Sequence, residues 1–502
     1  MNRIGVIYIG ENSVRLTLSE VYSSGYFKII DELNSSVRIC YDLIENPVIS
    51  EDKINETIST LRTFKSLCLV SGVNKIISIS SEALRLAQNS KEIKKRIKDE
   101  LDLDIIVLST SSEIYYNFLA LKNSIYFDNA IVVNISGSTT HISWIKDNEV
   151  KEFTSLPIGA INLSDYFGLS DVVDTTSLKM TENCIDTYLE KLSWLKDCGA
   201  DCVIGVGGTI RALGRMDRAR KKYPLDLTHN YIIDSSDVHH VFNLVKSKNL
   251  HLRREIEGLS TDRADIIVGG ISIIDRIIDL LSAEQLIISG RGVREGVMYE
   301  YIANNFDRPE DILDYNLNGI ADSLNLNKRH AKHVYKLFSK LFIAFKPLHR
   351  LGSEYSHIIK TAALLHDCGT SIDYYNHHKH SFYIILNSYI NGLTHKELLI
   401  SAAVAASHRN NSYHLPLVKY SSILNSIDIH YIECLGVLLK ISEGLDRSLE
   451  GAVKDLSVEI DKETVTIYVQ SDLNIEMEIH QALRCKDKFK DVYGKDLVIK
   501  KA

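Results

Sequence analysis

Hydrophobic and polar positions follow two patterns along the first 300 residues. Short runs rich in Ile and Val have the length and composition of buried β-strands. Between them lie longer stretches whose apolar residues are three and four positions apart, such as Glu51 to Leu69, and this spacing is typical of amphipathic helices. Alternating strands and helices predict an α/β architecture for residues 1 to about 300.

The pattern changes at about residue 309, where strand-like alternation stops. Apolar residues then recur at helical spacing, and we predict an all-α domain over residues 309–450. An example is the set Val334, Leu337, Phe338, Leu341 and Phe342. Alternation returns in residues 451–502, with Leu456, Val458 and Ile460 before a turn and Val465, Ile467 and Val469 after it. The last fifty residues therefore predict a hairpin in a small α/β segment.

Two similar hairpins predict that the α/β part is duplicated. Ile4 to Leu18 is a strand, a Gly-Glu-Asn-Ser turn and a strand, and Ala130 to Ile145 repeats this plan about 125 residues later. In addition, strands beginning at Cys202 and Leu286 each end in a glycine turn before a helix. Glycine lets the backbone approach a ligand, and a helix N-terminus offers N–H groups to an anion. We expect two lobes, residues 1–125 and 126–302, with a phosphate site between them.

Composition and charge limit the classes of partner that we expect for this protein. The chain has 58 Lys and Arg against 65 Asp and Glu, a formal net charge of −7, and no dense basic run, which argues against duplex nucleic acid or an anionic membrane as the main partner. The most hydrophobic stretch, Ile266 to Ile274, is shorter than the roughly 20 apolar residues of a membrane helix. The N-terminus lacks a signal-peptide pattern, and the eight cysteines form no CxxC pair. We expect a cytoplasmic protein with reduced thiols and no membrane segment.

Five short segments carry a resemblance to a known family. In order, they are Ile9-Gly-Glu-Asn-Ser-Val-Arg-Leu16, Ser80-Ser-Glu-Ala-Leu-Arg85, Leu108-Ser-Thr-Ser-Ser-Glu113, Gly205-Val-Gly-Gly-Thr-Ile210 and Ser289-Gly-Arg-Gly-Val-Arg-Glu-Gly-Val-Met-Tyr299. This ordered set resembles the exopolyphosphatase/guanosine pentaphosphate phosphatase (Ppx/GppA) family of the actin-like ATPase superfamily. The resemblance implies two ribonuclease-H-like lobes, a homodimer, and a hydrolase that releases terminal phosphate from polyphosphate or guanosine pentaphosphate (pppGpp).

The side chains of these segments, and of the turn in the second hairpin, suit a phosphate chain. Arginine forks, amides, hydroxyls and glycine backbone N–H groups all donate hydrogen bonds to phosphate oxygens. The candidate phosphate-binding residues are Asn12, Ser13, Arg15, Arg85, Ser138, Thr139, Gly207 and Gly208. The resemblance also implies that Glu113 is the general base that activates water, and that Mg²⁺ is the cofactor.

Three positions depart from the resemblance. Where it implies carboxylates, the chain has Tyr8, Asn134 and His141. Magnesium gains less from amide or imidazole ligands than from carboxylate oxygen. One explanation is that the cleft binds polyphosphate or an alarmone without hydrolysing it, as a sensor. The other is that a different carboxylate has taken over, and the candidates are Glu11, Glu82 and Glu295.

The helical part carries a second set of chemically active residues. It contains His330, the pair His366-Asp367, the run His377-His-Lys-His380, His408 and Glu443. This set resembles the HD domain of longer family members, in which histidine and acidic residues form a metal phosphohydrolase site. The resemblance implies that His330, His366, Asp367 and Glu443 bind a divalent metal, with Mn or Fe as alternatives to Mg. A third hypothesis is therefore hydrolysis of a phosphomonoester or nucleotide at this HD-like site.

Overall fold

The computed structural model describes residues 2–409 and 416–502. The chain divides into two compact units, Met1–Arg308 and Pro309–Ala502. The first unit contains two mixed sheets flanked by helices, which confirms the predicted α/β architecture. The second begins with helices and ends with a small sheet.

The first sheet has the strand order β3-β2-β1-β4-β5, with β1, β2 and β3 antiparallel and β1, β4 and β5 parallel. Its strands are β1 (Asn2–Ile9), β2 (Val14–Val21), β3 (Phe27–Ser35), β4 (Lys75–Ser80) and β5 (Ile105–Val107). The helices of this lobe are α1 (Asp42–Glu45), α2 (Glu51–Val70), α3 (Glu82–Leu86), α4 (Ser90–Leu101) and α5 (Thr110–Lys122). The side chains of Ser50 and Ser109 cap α2 and α5 by accepting hydrogen bonds from backbone N–H groups of the first turn.

The second sheet has the order β10-β11-β9-β6-β7-β8. Its strands are β6 (Asn129–Ile135), β7 (Thr140–Lys146), β8 (Glu149–Leu156), β9 (Cys202–Val206), β10 (Tyr231–Asp234) and β11 (Gln285–Ile288). The helices between these strands are α6 (Ala160–Tyr166), α7 (Thr175–Leu189), α8 (Ser193–Asp197), α9 (Gly208–Arg220), α10 (Ser235–Lys246), α11 (Leu250–Arg254) and α12 (Ile267–Leu281). Helix α13 (Val293–Asn305) follows β11 and packs against β1 and β4 of the first sheet. The most hydrophobic stretch of the sequence lies in α12, which is buried against the strands of this sheet.

The two predicted hairpins occupy equivalent places in the two sheets. β1 pairs antiparallel with β2 and parallel with β4, and β6 pairs in the same way with β7 and β9. In register, Tyr8 lies opposite Arg15, and Asn134 lies opposite His141. The three positions that lack the implied carboxylates therefore lie near the turn ends of the two hairpins, where ligand chemistry was expected.

The second unit contains α14 (Ile312–Ser323), α15 (Lys328–Ala344), α16 (Lys346–His349), α17 (Ser356–Leu365), α18 (His377–Asn387), α19 (His395–Ala406), α20 (Leu417–Tyr420) and α21 (Ser426–Gly444). It ends with β12 (Asp455–Ile460), β13 (Thr464–Gln470), α22 (Glu476–Leu483), α23 (Lys486–Tyr493) and β14 (Asp496–Lys501). The predicted hairpin is β12–β13, and β14 adds a parallel strand to β13 that alternation did not reveal. Across the described residues, no helix is long and apolar enough to cross a membrane.

Candidate active site

A cavity lies between the two lobes, where the hairpin turns approach the glycine turn before α9. Five of the eight predicted phosphate-binding residues line it: Asn12, Ser13, Arg15, Gly207 and Gly208. Other lining residues are Tyr8, Glu11, Asn117, Asn134, Arg211, Arg263, Arg294 and Glu295. Arg85, Glu113, Ser138 and Thr139, which were also predicted for the site, are not part of this lining.

The glycine turn before α9 brings backbone N–H groups to the cavity. Gly207 has φ of 102°, a conformation that favours glycine, and a Cβ atom at this position would lie 2.9 Å from the Ile135 carbonyl oxygen. The turn therefore packs directly on the end of β6. Because α9 begins at Gly208, its unpaired N–H groups and its positive dipole end lie where an anion would bind.

Four arginines surround the same space, although only Arg15 was predicted. Burial and the nearby Arg294 and Arg263 lower the pKa of Arg15 to about 10. Burial and these neighbouring arginines also lower the pKa of Arg211. A second pocket beside the cavity is lined by the same four arginines together with Arg215. Clustered, partly desolvated cations of this kind are stabilised by a multiply charged anion.

The four arginines differ in their contacts with other described residues. The Arg294 guanidinium lies 2.8 Å from the Glu32 carboxylate and also donates to Thr17. The guanidinium groups of Arg211 and Arg263, by contrast, make no side-chain hydrogen bond within residues 2–409 and 416–502. Their donors are available to a ligand.

Buried amide groups around the cavity also lack partners. Neither amide atom of Asn12 has a hydrogen-bond partner among the described residues, and the same holds for Oδ1 of Asn117. Buried polar atoms are almost always hydrogen-bonded, so exceptions at a cavity surface indicate a ligand, ion or water. These atoms add donors and acceptors to the arginine cluster.

Three carboxylates gather beside this cavity, and two of them already accept hydrogen bonds from predicted phosphate ligands. Ser138 donates to Glu11 through its backbone N–H at 2.7 Å and its hydroxyl at 2.8 Å. Thr139 donates its hydroxyl to Glu82 at 2.8 Å. The structure thus assigns the donors of Ser138 and Thr139 to carboxyl groups, because Glu11 and Glu82 are buried and buried polar groups require hydrogen bonds.

Arg85 is engaged in the same way. Its guanidinium lies 2.7 Å from Glu82 and donates to the Leu108 carbonyl at 3.1 Å. Burial alone would raise the pKa of Glu82, but the nearby His141 and the hydrogen bonds from Arg85 and Thr139 outweigh it and lower this pKa to about 2. Arg85 therefore neutralises an ionised Glu82 and does not face the cavity.

Glu113, the predicted base, lies deeper than the cavity lining. Its side chain is only 1% exposed, and its Oε1 atom has no hydrogen-bond partner among the described residues. Burial raises the pKa of Glu113 to about 7, with Glu11 adding to the rise and His141 opposing it. Burial and the Glu113 carboxylate in turn raise the pKa of Tyr8, which lines the cavity. Glu113 is thus a carboxyl group poised to exchange a proton near neutral pH.

The structure also places the three carboxylates considered as replacements. Glu11 and Glu82 lie close to Glu113, since both carboxylates raise its pKa, and the Glu82 carboxylate lies 3.6 Å from Nε2 of His141. Glu295 instead accepts a hydrogen bond from the Gly292 N–H at 2.8 Å and caps α13. Glu82 is paired with Arg85, so Glu11, which lines the cavity and lies close to Glu113, is the best placed of the three.

The second unit contains a compact cluster centred on Asp367. Two groups of potential metal ligands share this carboxylate: His330, His366 and Asp367, and Asp367, His377 and His408. The Nε2 atoms of His330 and His366 lie 3.8 and 3.5 Å from Asp367 Oδ2. Those of His377 and His408 lie 3.2 and 3.5 Å from Oδ1. Within the described chain, these are the two groups of three such ligands close enough for one ion, and neither is in the first unit.

All four histidines are held in one orientation by their other ring nitrogen. Nδ1 of His330 lies 2.7 Å from the Asp446 carboxylate, and Nδ1 of His366, His377 and His408 lies within 2.6 to 2.8 Å of a backbone carbonyl. A proton on each Nδ1 leaves the Nε2 lone pairs directed at the Asp367 side of the cluster. This is how metal-binding histidines are fixed by their surroundings.

Glu443, predicted as the late metal ligand, belongs to neither group. Its carboxylate lies 3.4 Å from the Arg447 guanidinium. The acidic residue behind the cluster is Asp446, which is fully buried and contacts Nδ1 of both His330 and His333. Asp446 is three residues further along the chain than Glu443. Through its contact with Nδ1 it orients His330, whereas Glu443 was expected to bind the ion directly.

Both units of the chain match one family of known proteins. Residues 19–305 match the Ppx/GppA phosphatase family, and residues 313–485 match its domain III. A guanosine-5'-triphosphate,3'-diphosphate pyrophosphatase of Aeromonas hydrophila is 24% identical over 470 residues, 93% of this chain and 92% of that protein. The crystal structure of the Aquifex aeolicus Ppx/GppA family member is 28% identical with a TM-score of 0.54, over 61% of this chain and 99% of that one.

A further solved structure supports the fold. An exopolyphosphatase from Cytophaga hutchinsonii has a TM-score of 0.58 and 23% identity, over 60% of this chain and 98% of that one. The first family match spans more than half of the 502 residues and includes the second sheet, most of the first and three of the four arginines of the cavity, Arg211, Arg263 and Arg294. The chain therefore belongs to the Ppx/GppA phosphatase family.

Proposed function

We propose that the chain is a phosphatase that releases terminal phosphate from inorganic polyphosphate or from guanosine pentaphosphate, bound in the cavity between the lobes. The observation that carries the proposal is the set of four arginines around the N-terminus of α9. The two substrates are those suggested by the names of the relatives. The arginines suit either one, because both present a run of phosphate groups.

The cavity offers a place for the terminal phosphate and a path for the rest of the chain. Gly207, Gly208 and the unpartnered Asn12 amide line the cavity, and we assign them to the terminal phosphate. The neighbouring pocket shares Arg15, Arg211, Arg263 and Arg294 with the cavity and extends it past Arg215. A chain of phosphates can therefore run from one pocket into the other while its charge is balanced by guanidinium groups.

Glu113 is the residue we propose as general base. Its pKa of about 7 lets it take a proton from water at neutral pH and release it afterwards. It adjoins Tyr8 and Glu11, and both of these line the cavity. The arginines and N–H groups stabilise the negative charge that develops on the transferred phosphoryl group, as in other phosphoryl-transfer sites.

The residues present fit a magnesium ion that is held largely by the substrate. Mg²⁺ commonly uses one or two carboxylates and completes its shell with phosphates and water. Glu11 retains lone pairs beyond its two hydrogen bonds, and the unpartnered Asn12 Oδ1 is a further oxygen ligand. When bound, the ion would neutralise phosphate charge. Tyr8, Asn134 and His141 are not needed as ligands in this arrangement.

The first test concerns binding. Replacing Arg263 with methionine removes a charged side chain that makes no hydrogen bond with the residues the structure describes, and we expect polyphosphate affinity to fall about 10- to 150-fold. Arg211→Met should have a similar effect. Titration calorimetry with polyphosphate measures both, and Arg254→Met, an exposed arginine outside the cavity, is the matched control. Unchanged affinity in both cavity variants would place the binding site elsewhere.

The Asp367 cluster supports a second function. We propose that the second unit is HD-like and would hold two divalent ions, with His330 and His366 as ligands of one, His377 and His408 as ligands of the other, and Asp367 shared by both ligand groups. Imidazole and carboxylate together suit Mn²⁺ or Fe²⁺ as well as Mg²⁺. Such ions activate water for attack on a phosphate ester. The residues fit because four Nε2 atoms and one carboxylate already converge there.

Nearby residues indicate a phosphomonoester or nucleotide as the ligand of this second site. Arg409 donates to the Tyr374 hydroxyl at 2.7 Å, and its guanidinium lies 4.9 Å from the centre of the Tyr374 ring. Tyr374 also contacts the His377 ring, with centroids 5.8 Å apart. A cation and an exposed aromatic ring beside the ligands suit a phosphate and a planar base.

Membership of the family also leads us to propose that the protein is cytoplasmic and forms a homodimer. Light scattering would test the homodimer.

A further inference from the structure

The loop that follows β3 joins the two lobes at the edge of the cavity. Arg38 donates to the Asp265 carboxylate at 2.7 Å and to the Asp262 carbonyl at 2.6 Å. Ser36 donates to the Asp262 carboxylate at 2.9 Å, and Tyr41 donates to Asp265 at 3.2 Å. These contacts link residues more than 220 positions apart. One loop of the first lobe thus holds the segment of the second lobe that contains Arg263.

The same loop supports the first-lobe side of the cavity. The backbone N–H of Arg38 donates to the Asn12 carbonyl at 3.0 Å, and that of Cys40 donates to the Glu11 carbonyl at 3.1 Å. Asn12 and Glu11 both line the cavity. The loop is therefore bonded through its backbone to one wall of the cavity and through its side chains to the other.

Arg263 lies in the part of the second lobe that this loop holds. It stands between Asp262 and Asp265 in the chain, and its guanidinium rests on the backbone of Gly208, where a Cβ atom would lie 2.2 Å from its Nη2. Because Asp262 and Asp265 are both fixed by the first lobe, the position of Arg263 relative to Asn12 depends on these bonds. A terminal phosphate has to contact both sides at once.

The backbone of Arg38 provides independent evidence that its side chain matters. Arg38 has φ of 56° and ψ of 48°, the left-handed region that glycine occupies most readily. A residue other than glycine at such a position is disfavoured unless the surroundings fix it. Here the arginine side chain makes four hydrogen bonds, to Tyr41, the Asp262 carbonyl and both oxygens of Asp265. The strained backbone therefore coincides with the residue that links the lobes.

We infer that Arg38 is a positioning residue that sets the distance between the Asn12 turn and Arg263, and thereby the fit of the cavity to a terminal phosphate group. It acts through Asp262 and Asp265 and is absent from the cavity lining. The inference rests on the proposed phosphatase function for its ligand. The bonds between the lobes exist whether or not that function is correct, so they are tested separately.

The decisive variant is Arg38→Gly, because glycine accepts the left-handed backbone while it removes every side-chain bond. In a Glu113→Gln background, where turnover is blocked, we expect its polyphosphate affinity measured by calorimetry to be at least about tenfold weaker than that of the Glu113→Gln parent. Arg38→Lys should retain part of the affinity. Arg276→Met is the matched control, since Arg276 forms a similar ion pair with Asp186 inside the second lobe.

A second readout needs no substrate. Cys40 is buried and lies two residues from Arg38, so loosening the loop should expose its thiol. We expect maleimide labelling of Cys40, followed by mass spectrometry, to be at least about tenfold faster in Arg38→Gly, with Arg276→Met unchanged. Unchanged labelling of Cys40 overturns the inference. If labelling accelerates but the Glu113→Gln parent binds no polyphosphate, the link between the lobes stands and the proposed phosphatase ligand is wrong. If the parent binds polyphosphate and the Arg38→Gly variant binds it equally well, the positioning role of Arg38 is wrong.

Discussion

Replacing Glu113 with glutamine is expected to lower the rate of phosphate release by about two to four powers of ten while polyphosphate affinity stays nearly the same. Glutamine has almost the same shape but cannot accept the proton of the attacking water. Glu113 does not line the cavity, so the change leaves the arginines and N–H groups that bind phosphate in place. Release of inorganic phosphate at saturating polyphosphate measures the effect. Wild-type turnover in Glu113→Gln would remove this residue from the mechanism.

The same variant should alter the pH dependence of activity and stability. The base works when ionised, so wild-type activity should rise with pH through about 7, the pKa of Glu113.

Because this folded-state pKa lies above the usual 4.5, the favourable contribution of the protonated group to folding is complete below about pH 4.5 and is lost as pH rises through 7. Glu113→Gln should therefore be more stable than wild type at pH 8, by about 2 to 3 kcal/mol, and not at pH 4. Denaturant titrations at both pH values test this.

Replacing Asp367 with asparagine is expected to remove bound metal from the second unit. Asp367 contributes to both groups of ligands, and an amide lacks the charge that holds a divalent ion between imidazoles. We expect elemental analysis of the purified protein to fall from about two ions per chain to almost none. The control is Glu443→Gln, which should keep its metal because Glu443 pairs with Arg447.

Asp446→Asn refines the same test. It removes the partner of His330 Nδ1 without removing a ligand, and changes of this kind weaken metal affinity about 10- to 100-fold. Metal should therefore be lost at lower chelator concentrations than in wild type. A wild-type protein without tightly held metal, or an Asp367→Asn protein that retains it, would contradict the binuclear centre.

The parts of this account that could be predicted from sequence are those encoded by local pattern. Strand length, glycine turns and helical spacing are short-range properties, and the hairpins around residues 10 and 137 lie where alternation and turn residues indicated. The sequence also singled out His330, His366 and Asp367 as candidate metal ligands, because an adjacent His-Asp pair at a helix end is a local signal, and the structure brings these three side chains together. Three of the residues that line the cavity, Asn12, Ser13 and Arg15, could be predicted for a similar reason, because one hairpin turn and the residue after it contain all three.

Other features depend on contacts between distant segments. Arg211 lies one helical turn beyond Gly208, a spacing that would have indicated its direction, whereas Arg263 and Arg294 reach the cavity only through the packing of the lobes. No local pattern shows that Ser138 and Thr139 donate to Glu11 and Glu82, because those partners lie 127 and 57 positions away. Glu443 lies in the last turn of α21 and Asp446 follows the Leu445 cap, so a motif match that is shifted by three residues could not tell which one faces His330.

The central claim is that phosphate release takes place between the lobes and depends on Glu113. Its most direct test compares phosphate release from polyphosphate and from guanosine pentaphosphate by wild type, Glu113→Gln and Asp367→Asn, at equal protein and with magnesium or manganese. The account predicts release by wild type and Asp367→Asn from at least one of the two substrates, and loss in Glu113→Gln. Release that survives Glu113→Gln but disappears in Asp367→Asn would place the chemistry in the second unit, and binding without release by wild type would make the cavity a sensor.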